Sequence, residues 1–432
     1  MSSSTSGSYR IIAGTIKKLA QNYVKAKKPT VIAVAGSVGK TSTKLMLSHM
    51  LQTKRVSCMD DSYNNGLGLY LSVFELKIPT KLTSPFAWLG IITKALAAFT
   101  RRGPNILILE YGIDHPGDID EMVAFVRPDI SILTAVTPEH MEFMKTLDGV
   151  AEEETKILIA AKKFAVYNDN DIDQKYIPTT EAPLYAYGSD TSLPASYAIT
   201  SWQKRGTSVS FTLDGTSYAD TPVRFISEPL IRQLSGAALI AKLLGVSDDA
   251  IRTGLKTATP AASRMRLFDG LNDSIIIDDT TNFSPDAGVE ALKALKRLPA
   301  NRHIAVLGNM HELGEYAEKG YSDVAQEFKD LDTIVLVGDL SPQLFGPLAI
   351  KAGFIEGETL FSYDTSVAAG IALRDMLTAD DIVLVKGPFG GFYLEETVKK
   401  LLKNQADSAH LTRQSDFWQE KKRRLFGDAF TQ

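Results

Sequence analysis

Six residues, TVIAVA at 30–35, run straight into Gly36-Ser37-Val38-Gly39-Lys40-Thr41-Ser42 and then into apolar residues at helical spacing. A short β-branched run that stops at a glycine turn and restarts as a helix is the opening of a parallel α/β unit. The glycines let successive N–H groups turn toward one point. The helix N-terminus adds its positive dipole end there, so that point attracts an anion. Gly36, Ser37, Gly39, Lys40, Thr41 and Ser42 are therefore candidate phosphate-binding residues. Lys40 is placed to reach terminal phosphates, and the Thr41 hydroxyl to ligate Mg²⁺. Position 34 is Val where the longer phosphate loop has glycine, so this is the short Gly-Ser-x-Gly-Lys-Thr form.

The alternation continues. Buried-strand runs are expected at 106–109, 130–133 and 164–167, with helical patterns at 116–126 and 147–163. Residues 178–228 turn rich in Thr, Ser, Tyr and Pro, and 208–213 alternate in polarity, which suggests a small antiparallel β insertion. A helix at 233–244 should end at Gly245, and a second strand series follows at 274–277, 303–307, 333–337 and 382–385. The expected class is α/β. It comprises a basic amphipathic helix (1–28), a P-loop ATPase domain with a parallel sheet (29–266, insertion about 178–228) and a C-terminal Rossmann-like domain (267–432). A length of 432 residues suits two or three cores.

Charge and cysteine usage narrow the function classes. The net charge of −4 gives no overall reason to expect a nucleic-acid partner. Cys58 is the only cysteine, which rules out an intrachain disulfide and a Cys-based zinc site and suits a reducing compartment. The leader MSSSTSGS lacks an apolar signal core, and nothing reaches the roughly 20 apolar residues of a spanning helix. The nearest stretch, 85–99, contains Lys94. A cytoplasmic protein is expected, with possible peripheral membrane contact through 85–99 and the helix carrying Lys17, Lys18, Lys25, Lys27 and Lys28. The other reading packs Trp88, Ile91, Ile92 and Leu96 against the sheet or a neighbouring helix. The basic run 421–424 reads as part of a solvated C-terminal helix.

Seven stretches in order resemble the Mur ligase family, and within it the MurF branch. They are GSVGKTSTK at 36–44; Asn64-Asn65-x-x-Gly68; Glu110-x-Gly112 with Gly117-Asp118-Ile119; Glu139-His140; Arg264; Asp278-Asp279-x-x-Asn282 with Pro285; and Gly308-Asn309-Met310-x-Glu312-Leu313-Gly314. Lys386-Gly387 resembles the Lys-Gly of that family's last domain. The resemblance implies an ADP-forming ligase that uses ATP and Mg²⁺. A substrate carboxylate becomes an acyl phosphate, which an amine then attacks. It implies Lys40 and Arg264 on phosphate, Thr41, Glu110 and His140 on metal, and Gln233, Asp279 and Asn282 toward the nucleotide, with ATP in the cleft between the domains. It also implies Asn65, Asn309, Glu312 and Lys386 toward the substrates. The expected task is adding D-Ala-D-Ala or a related amine to a muramyl peptide.

Departures qualify these expectations. Only about 29 residues precede the phosphate strand, so the family's usual UDP-binding first domain is expected to be missing, and a partner protein is one way to replace it. The family's carbamylated lysine corresponds to Glu154, which is expected either to supply a permanent carboxylate or to sit in an exposed run with Glu152 and Glu153. Asn309 stands in place of Asp, and Ser284 in place of the second Asn of Asn-x-Asn. Pro388-Phe389 replaces a Ser-Arg pair that can bind a carboxylate. Two other readings stay open: a ligase for a lipid-linked muropeptide or a polyglutamate-type acceptor, and a non-catalytic nucleotide-binding relative.

Overall fold

The computed structural model describes residues 3–64, 66–79, 82, 84–311, 313–427 and 430, with side chains from Arg10 onward. The chain divides into two compact units. The first comprises 1–198, 209–221 and 229–258, and the second 199–208, 222–228 and 259–432.

Nine strands form the first sheet. They are β1 (Thr30–Ala35), β2 (Val56–Cys58), β3 (Ile106–Glu110), β4 (Ile130–Leu133), β5 (Phe164–Asn168), β6 (Leu184–Gly188), β7 (Ala195–Gln203), β8 (Gly206–Leu213) and β9 (Thr216–Val223), in the order 2-3-1-4-5-6-7-8-9. From β2 through β7 every neighbouring pair is parallel. β3 and β4 are buried throughout and flank β1, which is why these runs are apolar without alternation. The chain goes from β1 to one side (β2, β3) and then crosses to the other (β4). The loop after β1 thus lies where open α/β sheets leave a crevice.

The small β insertion expected at about 178–228 is present as β7, β8 and β9, which follow one another through two-residue turns, and it joins the main sheet because β6 pairs parallel with β5, and β7 parallel with β6. The polar composition there reflects exposure, because the later half of β7 faces solvent or is half-buried. Composition changed where the sheet left the core, not where it ended.

The second sheet holds β10 (Arg266–Asp269), β11 (Ile275–Asp279), β12 (His303–Leu307), β13 (Thr333–Val337), β14 (Leu360–Tyr363) and β15 (Ile382–Lys386), in the order 10-11-15-12-13-14. All pairs are parallel except β10 with β11. β2, β10 and β14 have no counterpart in the strand runs read from the sequence. Each has three or four residues and is only partly buried, so none carries a long apolar run.

The helix Ser3–Lys27 sends Ile16, Ala20 and Tyr23 into the core that Leu107, Leu109 and Trp88 share. The helix Pro85–Ala98 is started by Ser84, whose hydroxyl accepts from Ala87 N, and by proline in its first turn. It buries Trp88, Ile91 and Ala95, with each large side chain contributing about 1.5–3 kcal/mol, and leaves Phe86, Leu89 and Leu96 exposed. No helix among the described residues is long and apolar enough to cross a membrane.

Candidate active site

The glycine loop closes against the strand end beside it. Gly36 has φ +125° and Gly39 φ +88°, the left-handed region that favours glycine. Space dictates the same residue: a Cβ on Gly36 would lie 2.3 Å from Thr134 Oγ1, and one on Gly39 1.9 Å from Gln233 Nε2. Ser37 Oγ donates to Thr137 O at 3.1 Å and accepts from Thr137 N at 3.0 Å, so its hydroxyl fastens the loop. Lys40 Nζ donates to Gly36 O at 2.5 Å and to Ser37 O at 3.3 Å. An ammonium satisfied only by carbonyls of its own loop exchanges them readily for phosphate oxygens, which carry full charge.

Thr41, in the first turn of the helix Lys40–Met50, and Glu110, at the end of β3, meet here. Thr41 Oγ1 donates to Glu110 Oε1 at 3.0 Å and lies 3.2 Å from Oε2, and Ser62 Oγ donates to Oε1 at 2.8 Å. A hydroxyl beside a carboxylate is a hard-oxygen pair suited to Mg²⁺. Lys44 Nζ lies 3.0 Å from Glu110 Oε2, and both groups are buried, so the carboxylate is neutralised from the protein side. His140 sits elsewhere in the same loop region, with φ +49° and its Nε2 3.6 Å from Asp114 Oδ1. Among the described residues no group of three or more His, Cys, Asp or Glu is arranged to hold a metal. Thr41 with Glu110 is thus the part of the expected metal set that this geometry brings together.

Glu154 is fully buried on the helix Leu147–Ala160, where the Glu139 carboxyl and the Gly36 backbone are its polar neighbours and neither of its oxygens meets a well-placed donor. The exposed-run reading therefore applies to Glu152 alone, since Glu153 and Glu154 are both buried. Burial pushes the Glu154 carboxyl up to about 8, against the pull of Lys40, and the neighbouring Glu139 carboxyl adds to the rise. Glu139 is itself raised, chiefly by burial, with Lys40 and His140 holding it down. Two buried carboxyls beside the phosphate-loop lysine, both with oxygens that lack a well-placed donor, are what a site for a cation leaves in its unliganded protein. Together with the glycine cradle they fit ATP and Mg²⁺. Gln233 packs its amide directly on Gly39, with Oε1 unpartnered.

The second unit treats its strand-end polar residues differently. Asp279 and Lys386, at the ends of adjacent β11 and β15, form a buried ion pair of 2.5 Å, and Lys386 also donates to Asn282 O at 2.8 Å. Asn309 donates to Asp339 Oδ1 at 2.6 Å and accepts from Ser341 N at 2.9 Å, which caps the helix Leu340–Lys351. Arg264 is exposed. Asn65 and Glu312 lie outside the described residues. The C-terminal helix Asp416–Phe426, read as solvated, buries Lys422 on Glu395 and Glu396 at 2.7 Å. Arg413 grips Glu395 through two bonds and donates to the carbonyls of Phe389 and Thr280.

Lys44, Ser62, Thr134 and Glu139 were not singled out as site residues in the sequence reading. For Lys44 a signal existed: it lies four residues after Lys40, one helical turn on, and so shares its face. Ser62 and Thr134 carry no local signal, because tertiary packing alone brings them to the loop.

Similarity to known proteins agrees with this geometry. Residues 34–228 match the Mur ligase middle domain and residues 263–389 the Mur ligase, glutamate ligase domain. UDP-N-acetylmuramoyl-tripeptide–D-alanyl-D-alanine ligase of Rickettsia prowazekii is 23% identical over 388 residues, covering 87% of this chain and 79% of its own. That of Bacillus subtilis is 24% identical over 397 residues, covering 90% and 79%. The solved MurF ligase of Thermotoga maritima in complex with ADP superposes with a TM-score of 0.67 at 22% identity, over 90% of this chain and 83% of that one. One MurF structure from Acinetobacter baumannii reaches 0.73 at 20% identity, over 91% and 81%. With both domain matches in order across most of its length, the chain belongs to the Mur ligase family of ATP-dependent, ADP-forming carboxylate–amine ligases.

Proposed function

We propose that this protein joins a muramyl-peptide carboxylate to D-Ala-D-Ala or a related amine in peptidoglycan precursor synthesis, as a cytoplasmic enzyme. The observation that carries the reading is the meeting of Lys40, the Thr41–Glu110 pair and the buried Glu154 around one glycine loop. A carboxylate and a γ-phosphate repel, so a site that joins them must supply positive charge where they meet. Lys40 supplies it from the protein, and Mg²⁺ held at Thr41 and Glu110 would screen the phosphates. The substrate carboxylate takes the γ-phosphoryl group to give an acyl phosphate and ADP, and the amine then displaces phosphate. Arg264 is assigned to the phosphoryl group, and His140 and Glu154 to completing the cation-binding side. Asp279 and Asn282 are assigned to the nucleotide-facing loop, and Asn309, Lys386, Asn65 and Glu312 to the substrates.

A second reading, a different amine, is favoured by the loop after β15. Pro388-Phe389 offers no side-chain hydrogen bond there, Phe389 is exposed, and the nearby Arg413 is committed to Glu395. Incubation with ATP, Mg²⁺, UDP-MurNAc-tripeptide and D-Ala-D-Ala, followed by mass spectrometry, separates the readings. The mass of the condensed product supports the first. ADP formation only with another amine or acceptor supports the second, and no ADP with any pair overturns both.

A further inference from the structure

The end of the first sheet opposite the phosphate loop carries an unusual charge. β2, β3, β1, β4 and β5 lie side by side and parallel, so the segments entering them share one edge. Those segments bring Lys54 and Arg55, Arg101 and Arg102, Lys25, Lys27 and Lys28, Arg127, and Lys162 and Lys163, against one carboxylate, Asp129. In a chain with 47 basic and 51 acidic residues, ten to one on a single edge is not the average surface. All but Lys27 and Lys54 of these cations are exposed. A groove of about 440 Å³ runs between Lys25 and Lys28 on one wall and Arg127, Lys162 and Lys163 on the other.

Apolar surface adjoins this edge. Lys27 Nζ donates to Phe99 O and Arg101 O at 2.7 Å, and Tyr23 packs on Phe99 at 5.4 Å, so the helices Ser3–Lys27 and Pro85–Ala98 both end there. Up the second helix runs the stripe of Leu96, Leu89 and Phe86, which are 50%, 57% and 85% exposed, with Lys94 beside it. Residues 85–102 contain Lys94, Arg101 and Arg102 and no acid.

We propose that this corner of the first unit docks on an anionic lipid bilayer, with the basic edge on the headgroups and Leu96, at the end of its helix nearest that edge, in the interfacial layer. Basic charge alone suits any polyanion. Exposed leucine beside it gains from the acyl boundary and gains nothing from a phosphate backbone. The strands are about five residues long, so the docked edge lies roughly 17 Å from the phosphate loop and leaves that loop facing water.

Co-sedimentation of the full chain with phosphatidylcholine vesicles, with and without phosphatidylglycerol, tests this. Binding is expected only with phosphatidylglycerol and should fade as salt rises. Lys162→Glu with Lys163→Glu, and separately Arg101→Glu with Arg102→Glu, should each weaken binding roughly 25-fold or more, at about fivefold per cation lost. Leu96→Ser should weaken it with the salt dependence unchanged. Vesicle-free ATP turnover serves as the check that each variant is folded, and if one pair fails it the other decides. No sedimentation at low salt, equal binding to phosphatidylcholine alone, or displacement from vesicles by polyuridylate RNA would overturn the proposal.

Discussion

The two sheets end in opposite ways. At the C-terminal edge of the first, Lys40 is held among the described residues by loop carbonyls alone, both Glu154 oxygens are buried without a well-placed donor, and Gln233 Oε1 is likewise unsatisfied. At the same edge of the second, Asp279 and Lys386 satisfy each other, and Asn309 is used up on Asp339 and Ser341. Asp278 is pushed up to about 6 by burial, yet it is held by Thr280 and Ser263. An unpaired buried carboxyl costs stability, and a paired one merely recovers its desolvation. The first edge is thus organised around something the protein must bind, and the second is largely organised around itself.

That contrast can be broken by substitution. Lys40→Ala removes the ammonium bonded to the loop carbonyls and should lower ATP turnover by about 10³-fold or more, with the fold intact. A phosphate-release assay showing near-normal rates would remove the phosphate loop from the chemistry. Lys386→Met leaves Asp279 buried and unpaired and should cost about 3–5 kcal/mol in urea unfolding of the second unit. A loss under 1 kcal/mol would mean that this pair is not structural. Glu154→Gln should do the reverse, lowering turnover by roughly 10- to 100-fold while leaving the ligand-free protein as stable or more so. Destabilisation with full activity would make Glu154 a core residue.

The smallest effect is a pH slope. The Glu154 carboxyl sits near 8 when folded against an ordinary value of 4.5, so the folded state holds a proton that the unfolded chain has released. Stability should then be highest below about 4.5 and fall as pH rises toward 8, and Glu154→Gln should flatten this slope. Equal slopes in thermal melts of both proteins would show that the buried carboxyl does not titrate as described.

Legibility followed locality. The phosphate loop was readable because strand, glycines and Lys-Thr-Ser are contiguous, and each long apolar strand announced itself. How the small β insertion joins the main sheet, through β6 and β7, was not legible because half-exposed strands look alike wherever they pair. The basic run near the C-terminus looked solvated because nothing local tells that Lys422 meets Glu395 and Glu396 from 26 residues away or more. Likewise, three glutamates in a row gave no sign that only the first faces water.

By itself the sequence determined the α/β class, the anion-binding loop and the family resemblance, because each resides in short runs whose backbone demands and side-chain chemistry are local. Tertiary structure alone decided which charges would meet. Thr41 reached Glu110 across 69 positions, Lys386 reached Asp279 across 107, and Glu154 was buried beside Glu139 and Lys40. Charge pairing depends on distance and burial. Both are set when the sheets close, long after any window of sequence has lost sight of the partner.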